Sequence, residues 1–466
     1  MAALLSRMDR RLLAACPQET DMNAKPNTAT LPNDLEAQWL PFTPNRQFKA
    51  EPRLVSRAKD MLYFKPDGTP VLDGTSGLWC ANAGHCREQI TRAIQHQAGE
   101  LDYAPAFQFS TPQAFELATR IARMMPNDLD HVFFSNSGSE AVDTALKIAI
   151  AYQRMRGEGA RTRLIGRERG YHGVGFGGIS VGGMVANRKL FGPMLAGTDH
   201  LPHTYNRAET AFTPGEPDWG AHLAEELTRI VELHDASTIA AVIVEPMAGS
   251  TGVLPSPKGY LKRLCEICDK HGILLIFDEV ITGFGRLGYA SAAERYGVTP
   301  DIMTFAKGIT SGTVPMGGVV VRKGIYDAFQ TTPDHVPDLF HGYTYSAHPL
   351  AVAAGLATLD LYEEEQLFAR ARKMEKPLSD ALMTLKGHAL VLDIRSVGMA
   401  AAVDLAPMEG APGKRGFEAM RHAFHEENIM VRVAGDTIVF SPPLIVEQTH
   451  LDELVSKFRR VLDKIA

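Results

Sequence analysis

No stretch of this 466-residue chain approaches eighteen consecutive apolar residues, so no segment reads as a membrane-spanning helix. Blocks or stripes of Lys and Arg are also missing. With 48 basic against 54 acidic side chains the net charge is −6, whereas a dedicated nucleic-acid binder would show a basic face. Cysteine is scarce. Cys16, Cys80, Cys86, Cys265 and Cys268 are odd in number and too few for a disulfide framework, which suits a reducing compartment such as the cytoplasm. No internal repeat is visible. What remains is ordinary globular usage, 45% hydrophobic and 22% charged with 41 Gly and 28 Pro, which excludes collagen-like, fibrous and disordered classes. The length allows one very large core or two to four smaller ones.

Two local features read as ordinary structure. Cys265 and Cys268 form a C-x-x-C, but they lie in an amphipathic stretch from Tyr260 to Lys270 with no second pair beside it. They read as two thiols on the core side of a helix, not as a metal site. Met1 to Thr20 carries Arg7, Arg10 and Arg11, yet Ala2 to Leu5 is too short an apolar core for a signal peptide. Residues 1–30 are expected to be a disordered tail.

From about residue 130 to 320, short apolar runs alternate with helical patterns, the signature of βα units around a mostly parallel sheet. The runs begin at His131, Ile239, Ile273 and Ile302, and Gly317-Gly-Val-Val-Val adds another strand. The first four lack polar alternation, as strands covered on both faces do. Helices are expected over Glu140 to Arg154 and Trp219 to His234, and a loop over Asn206 to Pro217. Leu62 to Asp73 reads as a hairpin turning at Pro66-Asp67-Gly68. Beyond residue 345 a long helix, Leu350 to Leu385, leads into a few strands and two further helices, a separate α+β region.

Ligands of open parallel sheets bind beyond the carboxyl ends of the strands. Here those ends are polar: Ser135-Asn-Ser-Gly-Ser-Glu140, Glu245-Pro246, Asp278-Glu279 and Ala306-Lys307-Gly308. A helix opening at Ser137-Gly-Ser-Glu140 offers free N–H groups to a phosphate, although alone it reads first as a capping box. Asp278, after five apolar residues, needs a cationic partner or it protonates. Lys307, buried at a strand end, can become a nucleophile. The run ending in Asp-Glu also suits a P-loop ATPase, but no G-x-x-x-x-G-K-[ST] stands anywhere in the chain. Gly173-Val-Gly-Phe-Gly-Gly178 matches G-x-G-x-x-G, but neither a strand before it nor a helix after it is expected. A phosphate cradle, a lysine for a Schiff base and a buried acid for a ring nitrogen together specify pyridoxal phosphate.

On these residues the chain resembles the class III pyridoxal-phosphate aminotransferases, in order from about Trp39 to its end. The landmarks are Asp73-Gly-Thr-Ser-Gly-Leu-Trp79, Asn136 to Val142, Tyr171-His-Gly173, Glu245-Pro246, Asp278 to Arg286, Lys307-Gly308, Tyr343 to Pro349 and Arg432 to Ile438. The β-alanine (ω-amino acid):pyruvate subgroup is the most similar. The resemblance implies an α/β, fold type I, aspartate-aminotransferase-like chain. A large cofactor domain would span 76–345, with a small α+β domain built from 31–75 and 346–466. It implies pyridoxal 5'-phosphate, held covalently by Lys307 and paired at its ring nitrogen with Asp278. Gly138, Ser139 and Thr344 of a neighbouring subunit would bind the phosphate, so the active unit would be a homodimer or tetramer. Tyr171 and Val280 would flank the ring, and Glu245 would order the network beside Asp278. Trp79 would wall the substrate pocket and Arg432 would grip a carboxylate. The implied reaction moves an amino group from β-alanine to pyruvate, with (S)-amines, taurine or polyamines as alternative donors. Glu245-Pro-Met-Ala-Gly-Ser250 lacks the acid that relatives acting on ornithine or γ-aminobutyrate carry at the last position. That favours pyruvate over 2-oxoglutarate.

Overall fold

The computed structural model describes residues 35–466; Cys16, the tail expected over 1–30 and residues 31–34 lie outside them. The described residues divide into two compact units, 35–57 with 64–70, and 58–63 with 71–466.

Among the described residues the first unit contains one helix, α1 (Asn45–Ala50). Its start is fixed by the Asn45 side chain, which accepts from the Leu40 N–H at 2.8 Å and donates to the Leu40 and Thr43 carbonyls. The turn at Pro66-Asp67-Gly68 is present between strands β1 (Leu62–Phe64) and β2 (Pro70–Asp73). It is closed by Lys65 N–H on Thr69 O, 2.9 Å, and by Asp67 accepting from the Thr69 N–H.

The second unit is built on a seven-stranded sheet. Its strands are β3 (Leu129–Ser135), β4 (Arg163–Arg167), β5 (Thr198–Leu201), β6 (Ile239–Val244), β7 (Leu274–Asp278), β8 (Ile302–Phe305) and β9 (Gly317–Arg322). Their order is β3-β9-β8-β7-β6-β4-β5. All neighbours run parallel except at β9, which is antiparallel to both β8 and β3. Ile276 sits opposite Ile302 on one side and Ile243 on the other.

The unbroken apolar runs follow from coverage of both faces. Val242, Val244, Leu275 and Phe277 pack with Tyr260, Leu264 and Cys268 of α4 (Tyr260–His271). The alternate residues, Ala241, Ile243, Leu274 and Ile276, pack with Ala145, Leu146 and Ala149 of α2 (Gly138–Met155). Full burial of one such Val, Leu or Ile contributes about 1.5–3 kcal/mol.

Residues beyond 390 form a second sheet of β10 (Val391–Val397), β11 (Ala400–Leu405), β12 (Arg432–Ala434) and β13 (Thr437–Phe440), ordered β10-β11-β13-β12 and antiparallel throughout. Helices α7 (Lys414–His425) and α8 (Gln448–Ile465) join it in the largest apolar cluster.

Four expectations need correction. The long helix is two, α5 (Pro349–Glu364) and α6 (Leu367–Met383), parted at Gln366 with φ +52°. The break occurs without Gly or Pro, because Leu361, Tyr362 and Leu367 all enter the same core across an exposed corner. The short helix Arg207–Thr210 interrupts the loop expected over Asn206 to Pro217. Strands β4 and β5 escaped notice because Arg, Thr, Asp and His dilute their apolar signal. Finally, the glycine run at 173–178 does follow a strand, β4, and does open a helix, α3 (Phe176–Val181). Its glycines admit side chains of α2: Gly178 N–H donates to Asp143 at 2.8 Å, and a Cβ at Gly177 would sit 2.6 Å from Asp143 Oδ1. In α4, Cys268 is buried and Cys265 half-buried, on the helix expected for them.

Candidate active site

Four strand ends of the large sheet converge on one cavity of about 120 Å³. At the end of β3 the chain turns into α2. Ser137 caps it, its hydroxyl accepting from the Glu140 N–H at 3.2 Å. Glu140 does not complete the reciprocal box; it accepts from the Asn136 backbone and side-chain N–H groups at 2.7 and 3.0 Å. The N–H groups of a helix's first turn have no partner inside the helix, so this end is a ready anion site. Gly138 and Ser139 line the cavity there. A Cβ at Gly138 would lie 2.7 Å from Val280 Cγ1, and one at Gly173 would lie 2.6 Å from Ser139 Cα. Only glycine leaves this cradle open.

Asp278 ends β7, opposite Thr304 of β8. Its Oδ2 is 2.7 Å from Nδ1 of the fully buried His172, and its Oδ1 accepts from the Thr304 hydroxyl and the Val280 N–H, both at 3.1 Å. The other nitrogen of His172 is buried without a partner among the described residues. Glu245, just past β6, is buried. Its two oxygens accept from the Tyr171 N–H at 2.8 Å and the Gly249 N–H at 3.1 Å. Burial pushes its carboxyl up, and Asp278 adds to the rise. Burial likewise pushes the Tyr171 hydroxyl up.

Lys307 follows β8 with φ +48°, a left-handed conformation that a lysine adopts only under constraint. Next to it Gly308 has no room for a side chain: a Cβ would meet Asn82 Nδ2 at 2.7 Å and Phe284 Cβ at 3.0 Å. Desolvation pulls the Lys307 amine below its usual range, and the positive Arg432 contributes in the same direction. A larger neutral fraction is what a nucleophilic lysine requires.

Seven of the ten residues singled out in the sequence line this cavity: Gly138, Ser139, Tyr171, Glu245, Asp278, Val280 and Lys307. Three do not. Arg432, at the start of β12, is half-buried, with its guanidinium in electrostatic reach of Tyr171 and Glu245. Trp79 is 1% exposed and packs with Met247, Val253 and Ile281 behind the lining, its indole N–H without a partner among the described residues. Thr344 is exposed, and its carbonyl accepts from the Tyr103 hydroxyl at 3.2 Å. The sequence reading missed His172. It noted that Asp278 required a partner, but the two residues lie 106 positions apart and no periodicity links them.

The lining fits pyridoxal phosphate. It offers a helix N-terminus whose glycines leave space for an anion, a buried acid held by imidazole, and a lysine whose amine is shifted toward neutrality.

Comparison with known proteins agrees. The model of the class-III aminotransferase family matches residues 44–462. The chain is similar to the omega-aminotransferase of Caulobacter vibrioides, 58% identical over 93% of this chain and 98% of the relative. The beta-alanine–pyruvate aminotransferase of Pseudomonas aeruginosa is 48% identical over 98% and 100% of the two chains. Among solved structures, a PLP-bound amine transaminase from an uncultivated Pseudomonas species superposes with a TM-score of 0.84 at 36% identity, covering 92% of this chain and 99% of that one. With family and site in agreement, the chain belongs to the class-III aminotransferases, enzymes of fold type I that work through pyridoxal phosphate.

Proposed function

We propose that this enzyme transfers an amino group from an ω-amino acid, β-alanine foremost, to pyruvate, giving malonate semialdehyde and L-alanine. The observation that carries the reading is Arg432. It is a half-buried arginine close to Tyr171 and Glu245, with no carboxylate at ion-pair distance among the described residues. A half-buried guanidinium without an ion-pair partner among the described residues suits a substrate carboxylate, which β-alanine, pyruvate and alanine all carry. The relative named for β-alanine and pyruvate supports the same substrate class.

Bound pyridoxal phosphate supplies the electron sink for the pair left when a substrate C–H bond breaks. The chain's own residues do the rest. Lys307 would hold the cofactor through its amine and, once free, is placed to take a proton from the substrate carbon and return it nearby. Its lowered pKa keeps the amine able to accept that proton. Asp278, oriented by His172 and Thr304, would face a ring nitrogen with its carboxyl group. Gly138, Ser139 and the end of α2 would hold the phosphate. Tyr171 and Val280 would flank the ring, Glu245 orders Tyr171 by accepting from the Tyr171 backbone N–H, and Trp79 would back the substrate side. The reaction runs as two half-reactions on one site, in ping-pong order.

The active assembly is at least a homodimer in this reading, with Thr344 completing the phosphate site of its neighbour, since Thr344 is exposed on its own chain. A cytoplasmic location suits the four described cysteines, all unpaired. Among the described residues, no helix is long and apolar enough to cross a membrane.

The test is an absorbance spectrum of the purified enzyme. A band at about 410–430 nm should move to about 330 nm on adding β-alanine and return with pyruvate. A band that responds to simple amines and ignores β-alanine would replace the donor with an amine. Equal turnover with 2-oxoglutarate would remove pyruvate as the dedicated acceptor.

A further inference from the structure

The small sheet carries two cross-strand rows of charge on one face. Its registers align Asp393, Asp404, Thr437 and Ala434 in one row, and Arg395, Ala402, Val439 and Arg432 in the next. Residues paired across a ladder, and residues two apart along a strand, share a face. Two arginines and two aspartates therefore occupy the same surface, Arg395 on one edge strand and Arg432 on the other.

The acids are taken entirely by one of the arginines. Arg395 is buried; its Nη1 donates to Asp393 Oδ2 at 2.7 Å and Asp404 Oδ2 at 2.9 Å, and its Nη2 to Asp404 Oδ1 at 2.9 Å. The Tyr205 hydroxyl lies 2.8 Å from Asp404 Oδ2 and 3.1 Å from Asp393 Oδ2. Thr437 donates to Asp404 Oδ1 at 2.6 Å, and the Phe212 N–H to Asp393 Oδ1 at 2.6 Å. Arg432 receives nothing: no carboxylate stands at ion-pair distance among the described residues, and its Nε is buried without a partner.

Distance makes this division matter. Neighbouring strands lie about 4.8 Å apart and strand residues rise about 3.4 Å, so Asp404, two strands over and two residues along, is about 12 Å from Arg432 at the backbone, a gap that an extended arginine and an aspartate close between them. Burial would raise the Asp404 carboxyl, but Arg395, Thr437 and Tyr205 hold it below the usual range. Released from them, it would be an intramolecular rival of the substrate carboxylate. The Nε of Arg395 also donates to the carbonyls of Gly252 and Val253, at 2.8 and 2.9 Å, on the loop that leaves Glu245. One guanidinium thus fixes both acids and the loop beside the cavity.

We propose that Arg395, with Tyr205 and Thr437, is a positioning residue for carboxylate specificity: it keeps Asp393 and Asp404 occupied so that Arg432 stays open to substrate. This rests on the reading of Arg432 as the carboxylate receptor.

The experiment compares holoenzyme variants by calorimetric binding of propionate, an unreactive carboxylate, and by KM for β-alanine against propylamine, which has no carboxylate. Arg395→Gln should weaken propionate and raise the β-alanine KM about tenfold, with the propylamine KM within about threefold. Adding Asp404→Asn to Arg395→Gln should recover most of that loss, because the rival charge is gone. A merely structural Arg395 would penalise both donors alike and gain nothing from the second change; either result overturns the proposal. Thr437→Val keeps the ion pairs and serves if Arg395→Gln does not fold. About threefold weaker propionate binding is expected there, and unchanged binding overturns the proposal. Arg432→Gln separates the two readings. Propionate binding that survives this change overturns the receptor and the proposal together. Binding lost there but kept in Arg395→Gln overturns the proposal alone.

Discussion

Asp278 and Glu279 are chemically similar neighbours on one strand end, and they do opposite work. Both are buried, at 5% and 1% exposure. Successive strand residues point to opposite sides, so their chemistry separates at once. Asp278 lines the cavity and is held by imidazole, hydroxyl and amide. Glu279 turns away and accepts from the N–H groups of Ala292 and Ala293 and from the Thr282 hydroxyl, tying down the short helix Ala292–Tyr296. One acid faces the cavity. Its neighbour spends hydrogen bonds on architecture, and burial pushes it up to about 7.

Substitutions can break this pair apart. The largest effect belongs to Asp278→Asn, which should cost at least about a thousandfold in turnover, roughly 4 kcal/mol of barrier, while thermal melting of the protein changes little. If Glu279→Gln matched that loss, the division of labour would be wrong. Next comes the cradle. Gly173→Ala forces a Cβ onto Ser139 at a backbone φ of +81°, and should lower cofactor affinity at least about tenfold in a titration of apoenzyme. Glu279→Gln follows: an amide replaces one of two accepting oxygens, so unfolding free energy should drop by about 1–3 kcal/mol in a denaturant melt, with turnover kept within about threefold.

The pH dependence sharpens the contrast further. A carboxyl whose pKa rises from 4.5 unfolded to about 7 folded takes up a proton on folding between those values. Its contribution to stability is complete below pH 4.5 and declines as pH rises through about 7. Melts between those pH values should therefore show a downward slope that Glu279→Gln flattens; an unchanged slope would assign it to other groups. The smallest effect is expected at Cys265→Ser, half-buried on α4 and remote from the lining, within about 0.5 kcal/mol of wild-type stability.

Much of the site was legible because β-strands deliver their last residues to a common edge. Apolar runs without alternation marked β6, β7 and β8 as central, and the polar residue after each was therefore near its neighbours in space. That reasoning reached Glu245, Asp278 and Lys307 without any contact information. It failed where signals are not local. His172 is joined to Asp278 by tertiary packing alone. The break at Gln366 has no breaker residue, since burial of Leu361 and Leu367 dictates it. Strands β4 and β5, diluted with polar residues at the sheet's far edge, look like loops. The glycines at 173–178 were refused as a nucleotide motif for a mistaken reason, because strand and helix do flank them. What those glycines admit is Asp143 and Ser139 of α2, a role written only in three dimensions.

The antiparallel strand β9 has a consequence for how the molecule comes into being. In the large sheet β3 touches only β9, and the two are separated by more than 180 residues. A chain emerging from the ribosome therefore exposes β3, and the helix opening it feeds, with no sheet partner until residue 322 has been made. Loop-closure entropy makes such a late, distant pairing slow, and an unpaired apolar edge is the kind of surface that aggregates meanwhile. The anion cradle at Gly138 cannot be locked into the sheet before Lys307 is also in hand. In the proposed reading, capture of a cofactor is thereby deferred until the lysine that would hold it already exists.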